Sequence, residues 1–153
     1  QNADEAAAAV AATRYPPHGI RGMAGTTRAT RYGAVKDYAT RASEEICLLV
    51  QVETAEALAN IEAIAAVDGV DGIFIGPADL AADMGHRDDP DHADVQAAIA
   101  DAIPRIRAAG KAAGIILGTP EARARAVAQG VNFLGQGSEA TLLADALRAM
   151  AAE

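Results

Sequence analysis

The chain has 153 residues, which is enough for one domain with a hydrophobic core. It carries 21 acidic and 13 basic residues, for a net charge of −8, and this argues against nucleic acid or an anionic membrane surface as the main partner. Neither a signal peptide nor an apolar run of the roughly 20 residues needed to span a membrane is visible. We therefore expect a cytoplasmic protein. About a quarter of the residues are alanine, which favours helices.

The first part of the chain predicts a helix followed by an irregular stretch. Residues 2–13 are alanine-rich, Asn2 can cap the helix, and Tyr15-Pro16-Pro17 ends it. Residues 18–28 are rich in glycine, threonine and arginine and show no periodicity. Residues 37–45 predict one or two further helical turns.

From residue 47 onward, predicted strands and helices alternate. Four continuous apolar runs predict buried strands, at residues 47–52, 72–75, 114–117 and 131–135. Four helices follow them, at residues 54–67, 91–109, 120–129 and 138–151. This alternation predicts a parallel sheet covered by helices.

The number of units suggests a partial barrel. A closed barrel of this kind takes eight βα units and this chain has four, while an open four-stranded parallel sheet leaves two exposed edges. The chain also begins at Gln1, directly at a helix cap. We therefore expect residues 1–153 to form a single partial TIM-barrel domain, the C-terminal half of a (β/α)8 barrel whose N-terminal half is absent. A small open flavodoxin-like sheet is the alternative.

The single cysteine, Cys47, excludes an internal disulfide bond and fits a reducing compartment. It stands in the apolar run of residues 47–50, and it lacks the electropositive setting that stabilises a thiolate. We therefore expect a buried structural thiol rather than a nucleophile.

The first predicted strand ends with polar residues that share one face. Gln51 and Glu53 are two positions apart, so their side chains point to the same side, and Val50 and Val52 point to the other. If the shared face is the barrel interior, an amide and a carboxylate lie at its mouth. Alternatively, Glu53 begins the next helix, where negative charge is favourable.

The second predicted strand ends at Gly76-Pro77-Ala78-Asp79. A tight turn there would expose the backbone amides of Ala78 and Asp79, which could hold a carboxylate. Asp79 adds a second carboxylate near Glu53, although it could instead cap a short helical turn. Two carboxylates, with water or substrate oxygens completing the shell, suit Mg2+ or Mn2+ better than zinc.

Lysine positions argue against imine chemistry, which needs a lysine inside the barrel. Lys36 lies in the irregular stretch, and Lys111 precedes the third strand and so lies at the opposite end. His18, His86 and His92 stand in polar, turn-like contexts, and we expect all three at the surface.

Four segments resemble the HpcH/HpaI aldolase family, whose nearer members are the 4-hydroxy-2-oxoheptanedioate and 2-dehydro-3-deoxyglucarate aldolases. They are Tyr15-Pro16-Pro17, Gly19-Ile20-Arg21-Gly22, Val50-Gln51-Val52-Glu53-Thr54 and the run from Gly69 to Leu80. The resemblance implies a cytoplasmic (β/α)8-barrel lyase of aromatic-compound catabolism that forms homo-oligomers, generally hexamers. Such an enzyme reversibly cleaves 4-hydroxy-2-oxo acids to pyruvate and an aldehyde with a divalent metal, namely Mg2+, Mn2+ or Co2+.

The resemblance also implies roles for particular residues. Glu53 and Asp79 match the family's metal ligands. Gln51 matches a residue that contacts the substrate, and the backbone amides of Ala78 and Asp79 match those that bind the pyruvate carboxylate. Leu117 matches a residue that lines the pocket. The family's histidine base, its acidic partner and an arginine have no counterpart, so no catalytic residue is assigned. The chain alone is therefore expected to have little aldolase activity.

Two other functions remain open at this point. The chain could be a non-catalytic half-barrel module that retains only metal or carboxylate binding. It could also belong to a citrate-lyase-like carbon–carbon lyase that acts on a CoA thioester, which the short loops and the Gly76-Pro77-Ala78-Asp79 motif disfavour.

Overall fold

A computed structural model describes residues 1–152 and contains eight helices and four strands. In chain order the elements are α1 (Ala3–Thr13), α2 (Tyr38–Glu45), β1 (Leu49–Val52), α3 (Ala55–Ala59), α4 (Ile61–Ala65), β2 (Gly72–Ile75), α5 (Pro77–Asp83), α6 (Ala93–Ala108), β3 (Ala112–Ile116), α7 (Pro120–Gln129), β4 (Phe133–Gly135) and α8 (Glu139–Ala151). The strands form one sheet in the order β1-β2-β3-β4, and every neighbouring pair is parallel. The predicted parallel α/β architecture is confirmed.

One face of the sheet carries the hydrophobic core. Val52, Ile75 and Ile115 are partners across three strands and are at most 1% exposed. They belong to one cluster with apolar side chains of α4 and α6. On α6 the cluster includes four residues at helical spacing, namely Val95, Ile99, Ile103 and Ile106. These four residues lie on one side of α6 because their spacing follows the period of 3.6 residues per helical turn.

The opposite face is open and rich in glycine. Gln51, Phe74, Gly114 and Phe133 are partners in one row across the four strands. The rings of Phe74 and Phe133 meet edge to face, with centroids 6.1 Å apart. A Cβ on Gly114 would lie 2.7 Å from the Phe74 ring, so the glycine leaves room for both rings. In a closed barrel this is the face that points inward.

The structure corrects two expectations about the first βα unit. The single helix predicted for residues 54–67 is instead two short helices. They are interrupted at Asn60, whose φ and ψ angles (−100° and 9°) lie outside the α-helical range. Cys47 is exposed rather than buried, because β1 begins only at Leu49.

A bidentate ion pair ties α4 to α6. Arg105 Nε and Nη2 donate to the two carboxylate oxygens of Glu62, each over 2.7 Å. These hydrogen bonds lower the pKa of Glu62 from 4.5 to about 2, so this carboxylate stays charged in all but strongly acidic solution.

Within residues 1–152, no helix is both long and apolar enough to cross a bilayer.

Candidate metal and carboxylate site

The candidate site lies where β1 and β2 end. The register pairs Val52 with Ile75, so Glu53 comes next to Gly76 at the same edge of the sheet. The amide of Gly76 donates to the carbonyl of Val52 over 3.1 Å and continues the ladder to this point. Parallel pairing thus brings together the two sequence segments that carry the candidate metal ligands.

Glu53 projects from the end of β1 and does not begin the following helix. Thr54 caps α3, with its side chain accepting from the Ala57 amide over 3.1 Å. The Glu53 carboxylate instead accepts a 2.6 Å hydrogen bond from Nε2 of Gln51, which fixes one of its two oxygens. The expectation that both side chains share one face is confirmed.

Asp79 lies in the first turn of α5. Gly76 is the N-cap residue and Pro77 follows it, so Asp79 does not cap the helix and its side chain is exposed. The first intrahelical bond runs from the Leu80 amide to the Gly76 carbonyl over 3.0 Å. The amides of Ala78 and Asp79 precede this bond, and such helix-start amides have no intrahelical acceptor.

The donor set suits a hard divalent cation. Glu53 and Asp79 supply carboxylate oxygens, and both side chains are at least partly exposed. Because Gln51 holds only one oxygen of Glu53, the other remains available to a ligand. Mg2+ and Mn2+ bind carboxylates of this kind and keep further positions for water or substrate oxygens.

Gly76 provides the space in which the Glu53 carboxylate lies. A Cβ at this position would stand 2.7 Å from Gln51 Nε2 and 2.8 Å from Glu53 Oε2. The φ angle of Gly76 is −98°, which any residue can adopt. The glycine is therefore needed for close approach and not for backbone conformation.

Gly76→Ala is expected to weaken Mn2+ binding by about tenfold or more, because the added methyl group displaces a ligand and the amide that orients it. The helical circular dichroism spectrum should stay unchanged, and calorimetric titration measures the affinity. Gly22→Ala is the matched control, since a Cβ there meets nothing within 4 Å. Equal affinities for the two variants would contradict the role given to Gly76.

A groove of about 480 Å3 opens beside this site. Ala78 and Leu117 both line it, together with Pro77 and the helix-start residues Thr119 and Ser138. Gln51 lines a separate cavity of about 260 Å3 near the N-terminus. The structure thus places Ala78 and Leu117 in one wall, and Gln51 and Glu53 in a hydrogen-bonded pair beside Gly76.

The lysine and histidine expectations are met only in part. Lys111 Nζ donates to the Val70 carbonyl over 2.7 Å, at the end of the sheet opposite Glu53, as predicted. His18 is exposed, as expected. His86 and His92 are half-buried and stack on each other, with ring centroids 3.5 Å apart. Sequence reasoning missed this pair, and its only signal was two histidines in an aspartate-rich segment.

Comparison with known proteins shows the family to which the chain is similar. The profile of the HpcH/HpaI aldolase/citrate lyase family matches residues 1–146. A pyruvate aldolase of Rhizobium etli is 55% identical over 99% of this chain and 60% of its own length. A 4-hydroxy-2-oxo-heptane-1,7-dioate aldolase of Klebsiella pneumoniae is 54% identical over 99% of this chain and 58% of its own length. The chain therefore spans about 60% of these relatives.

A solved structure supports the same assignment. The crystal structure of an HpcH/HpaI aldolase/citrate lyase family protein from Burkholderia cenocepacia superimposes with a TM-score of 0.90 at 38% identity. The match covers 97% of this chain and 60% of that one. The four βα units are accordingly part of a TIM-barrel fold, and the chain belongs to the HpcH/HpaI aldolase/citrate lyase family.

Proposed function

We propose that this chain carries the metal and carboxylate sites of a divalent-metal-dependent pyruvate aldolase that cleaves 4-hydroxy-2-oxo acids reversibly to pyruvate and an aldehyde. The observation that carries the proposal is the hydrogen bond between Gln51 and Glu53, whose side chains pack against Gly76. This pair lies at the same edge of the sheet as Asp79. The names of the Rhizobium etli and Klebsiella pneumoniae relatives support this reaction class.

Different residues of this chain bind different parts of a 2-oxo acid. The amides of Ala78 and Asp79 donate hydrogen bonds to the substrate carboxylate, as helix-start amides do for anions. Gln51 orients Glu53 through their 2.6 Å hydrogen bond, and Leu117 gives the groove an apolar wall. When held by Glu53 and Asp79, a divalent metal supplies a Lewis acid for the substrate oxygens.

Retro-aldol cleavage also needs a base for the 4-hydroxyl proton, and we propose that this base lies outside the chain. His86 and His92 pack against each other between α5 and α6, and His18 is exposed in the loop after α1. A positioned base is worth about 10²–10⁴-fold in rate. We therefore expect the chain alone to cleave 4-hydroxy-2-oxo acids near the background rate, and cleavage at the rate of a full-length relative would contradict this.

The direct test is calorimetric titration of Mn2+ into the chain with and without oxalate, which mimics the enolate of pyruvate. We expect Mn2+ to bind at one site and oxalate to tighten that binding, because its two carboxylates can meet both the metal and the helix-start amides. Mn2+ binding that oxalate leaves unchanged would argue for a metal site without a 2-oxo-acid function. Absence of Mn2+ binding with oxalate present would contradict the proposal for this chain.

A further inference from the structure

The stacked histidines belong to a cluster that the aldolase site does not use. His86 follows the end of α5, His92 is the N-cap residue of α6, and Asp94 lies in the first turn of α6. The three side chains come from nine consecutive residues and meet on one side of the α5–α6 loop. The cluster is separate in sequence from both Glu53 and Asp79.

The spacing of the donor atoms matches a small metal ion. Asp94 Oδ2 lies 3.5 Å from His86 Nε2 and 3.7 Å from His92 Nδ1. One donor atom from each residue lies within 4.8 Å of the other two. In a tetrahedral site with bonds of about 2.1 Å to nitrogen and oxygen, ligand atoms are about 3.4 Å apart. The two rings stack within 14° of parallel, so one imidazole must turn about its Cβ–Cγ bond before both lone pairs face a shared ion.

The loop backbone already holds both histidines in place. The His86 amide donates to the Ala81 carbonyl over 2.7 Å, directly after Gly85 adopts a left-handed φ of +88°. The Asp89 amide donates to the His86 carbonyl, and the His92 amide donates to the Asp89 carbonyl. Because these bonds fix the backbone at both histidines, metal binding would require little further ordering of the backbone.

The local charge also favours a cation at this point. His92 Nδ1 accepts a 3.3 Å hydrogen bond from the Asp94 amide, so this ring must turn before its single lone pair can face an ion. Residues 83–94 contain five aspartates and one arginine. This negative charge offsets the positive start of α6, which would otherwise disfavour a metal ion.

We propose that His86, His92 and Asp94 form a second metal site, specific for a borderline divalent ion such as Zn2+. Two imidazoles and one carboxylate suit Zn2+, whereas Mg2+ prefers oxygen ligands alone. The three side chains are 26%, 36% and 70% exposed, so an ion can enter and water can complete its shell. The bound ion fastens the α5–α6 loop to the start of α6.

The test is a Zn2+ titration of the chain in excess Mg2+, which saturates the carboxylate pair of Glu53 and Asp79. We expect one Zn2+ to bind. In long-range 1H–15N spectra of the imidazoles, the His86 and His92 signals should shift on binding while those of His18 stay in place. This readout uses the unmodified chain, so it does not depend on any variant folding.

Variants then assign the ligands. His86→Gln and His92→Gln should each weaken Zn2+ binding by about tenfold or more, because each removes one of three protein ligands. His18→Gln, which changes the remaining histidine in an exposed loop, should bind Zn2+ like the parent chain. The proposal is overturned if Zn2+ fails to bind in excess Mg2+, if His86→Gln retains the parent affinity, or if His18 shifts as much as the other two.

Discussion

Glu53→Gln is expected to weaken Mn2+ binding by about a hundredfold or more, because one of two anionic ligands is replaced by a neutral group of nearly the same shape. Asp79→Asn should have an effect of the same order. Oxalate should no longer tighten binding in either variant, since it depends on the metal being held beside the amides of Ala78 and Asp79. Calorimetric titration of Mn2+, with and without oxalate, measures both effects.

The matched control is Glu56→Gln. Glu56 lies three residues after Glu53, in the first turn of α3, and its side chain is exposed. The substitution removes the same charge from nearly the same place, so it reports the general electrostatic contribution to metal binding. If Glu56→Gln binds Mn2+ with the affinity of the parent chain, the effect of Glu53→Gln is due to the loss of a direct metal ligand. Equal losses of affinity in the two variants would mean that Glu53 contributes only general negative charge.

Ile115→Ala is expected to lower the free energy of unfolding by about 2–5 kcal/mol, the range for emptying a fully buried aliphatic site. Ile115 is 1% exposed and lies on the face of β3 that packs against α6. Its neighbour Ile116 points to the opposite face and is 42% exposed. Urea unfolding measured by circular dichroism gives the two values.

The same substitution at Ile116 provides the control. Ile116→Ala should cost about 1 kcal/mol, since 42% of the residue's surface already contacts water and its side chain lies on the open face of the sheet. The pair differs by one position in one strand, so propensity effects cancel and only the packing of the two faces differs. A larger loss at Ile116 than at Ile115 would mean that the face carrying Gln51 and Phe74, and not the helix-covered face, is the core in solution.

Local signals account for most of the elements that sequence reasoning found. The run of residues 72–75 is a strand because it is continuously apolar and bounded by turns. The helix Pro120–Gln129 begins at a proline and ends at Gly130, which has a φ of +111°, and both signals are visible in the sequence. The break at Asn60 was not predictable, because the apolar spacing continues across it.

The site was predictable only as far as single segments allow. The shared face of Gln51 and Glu53 follows from the two-residue period of a strand. Their contact with Gly76 depends on the register between β1 and β2, which the sequence of neither strand specifies. The stacking of His86 on His92 depends on the path of the loop between α5 and α6, and a search by motif could not have revealed it.

The strand order has a consequence for how this domain assembles. Every strand pairs with the strand that follows it in the chain, so each βα unit can dock on the one before it without a crossover to a distant strand. The pair of strands that carries Glu53 and Gly76 comes first in this order. The geometry of the metal ligands can therefore form as soon as β2 has joined β1, before β3 and β4 are in place.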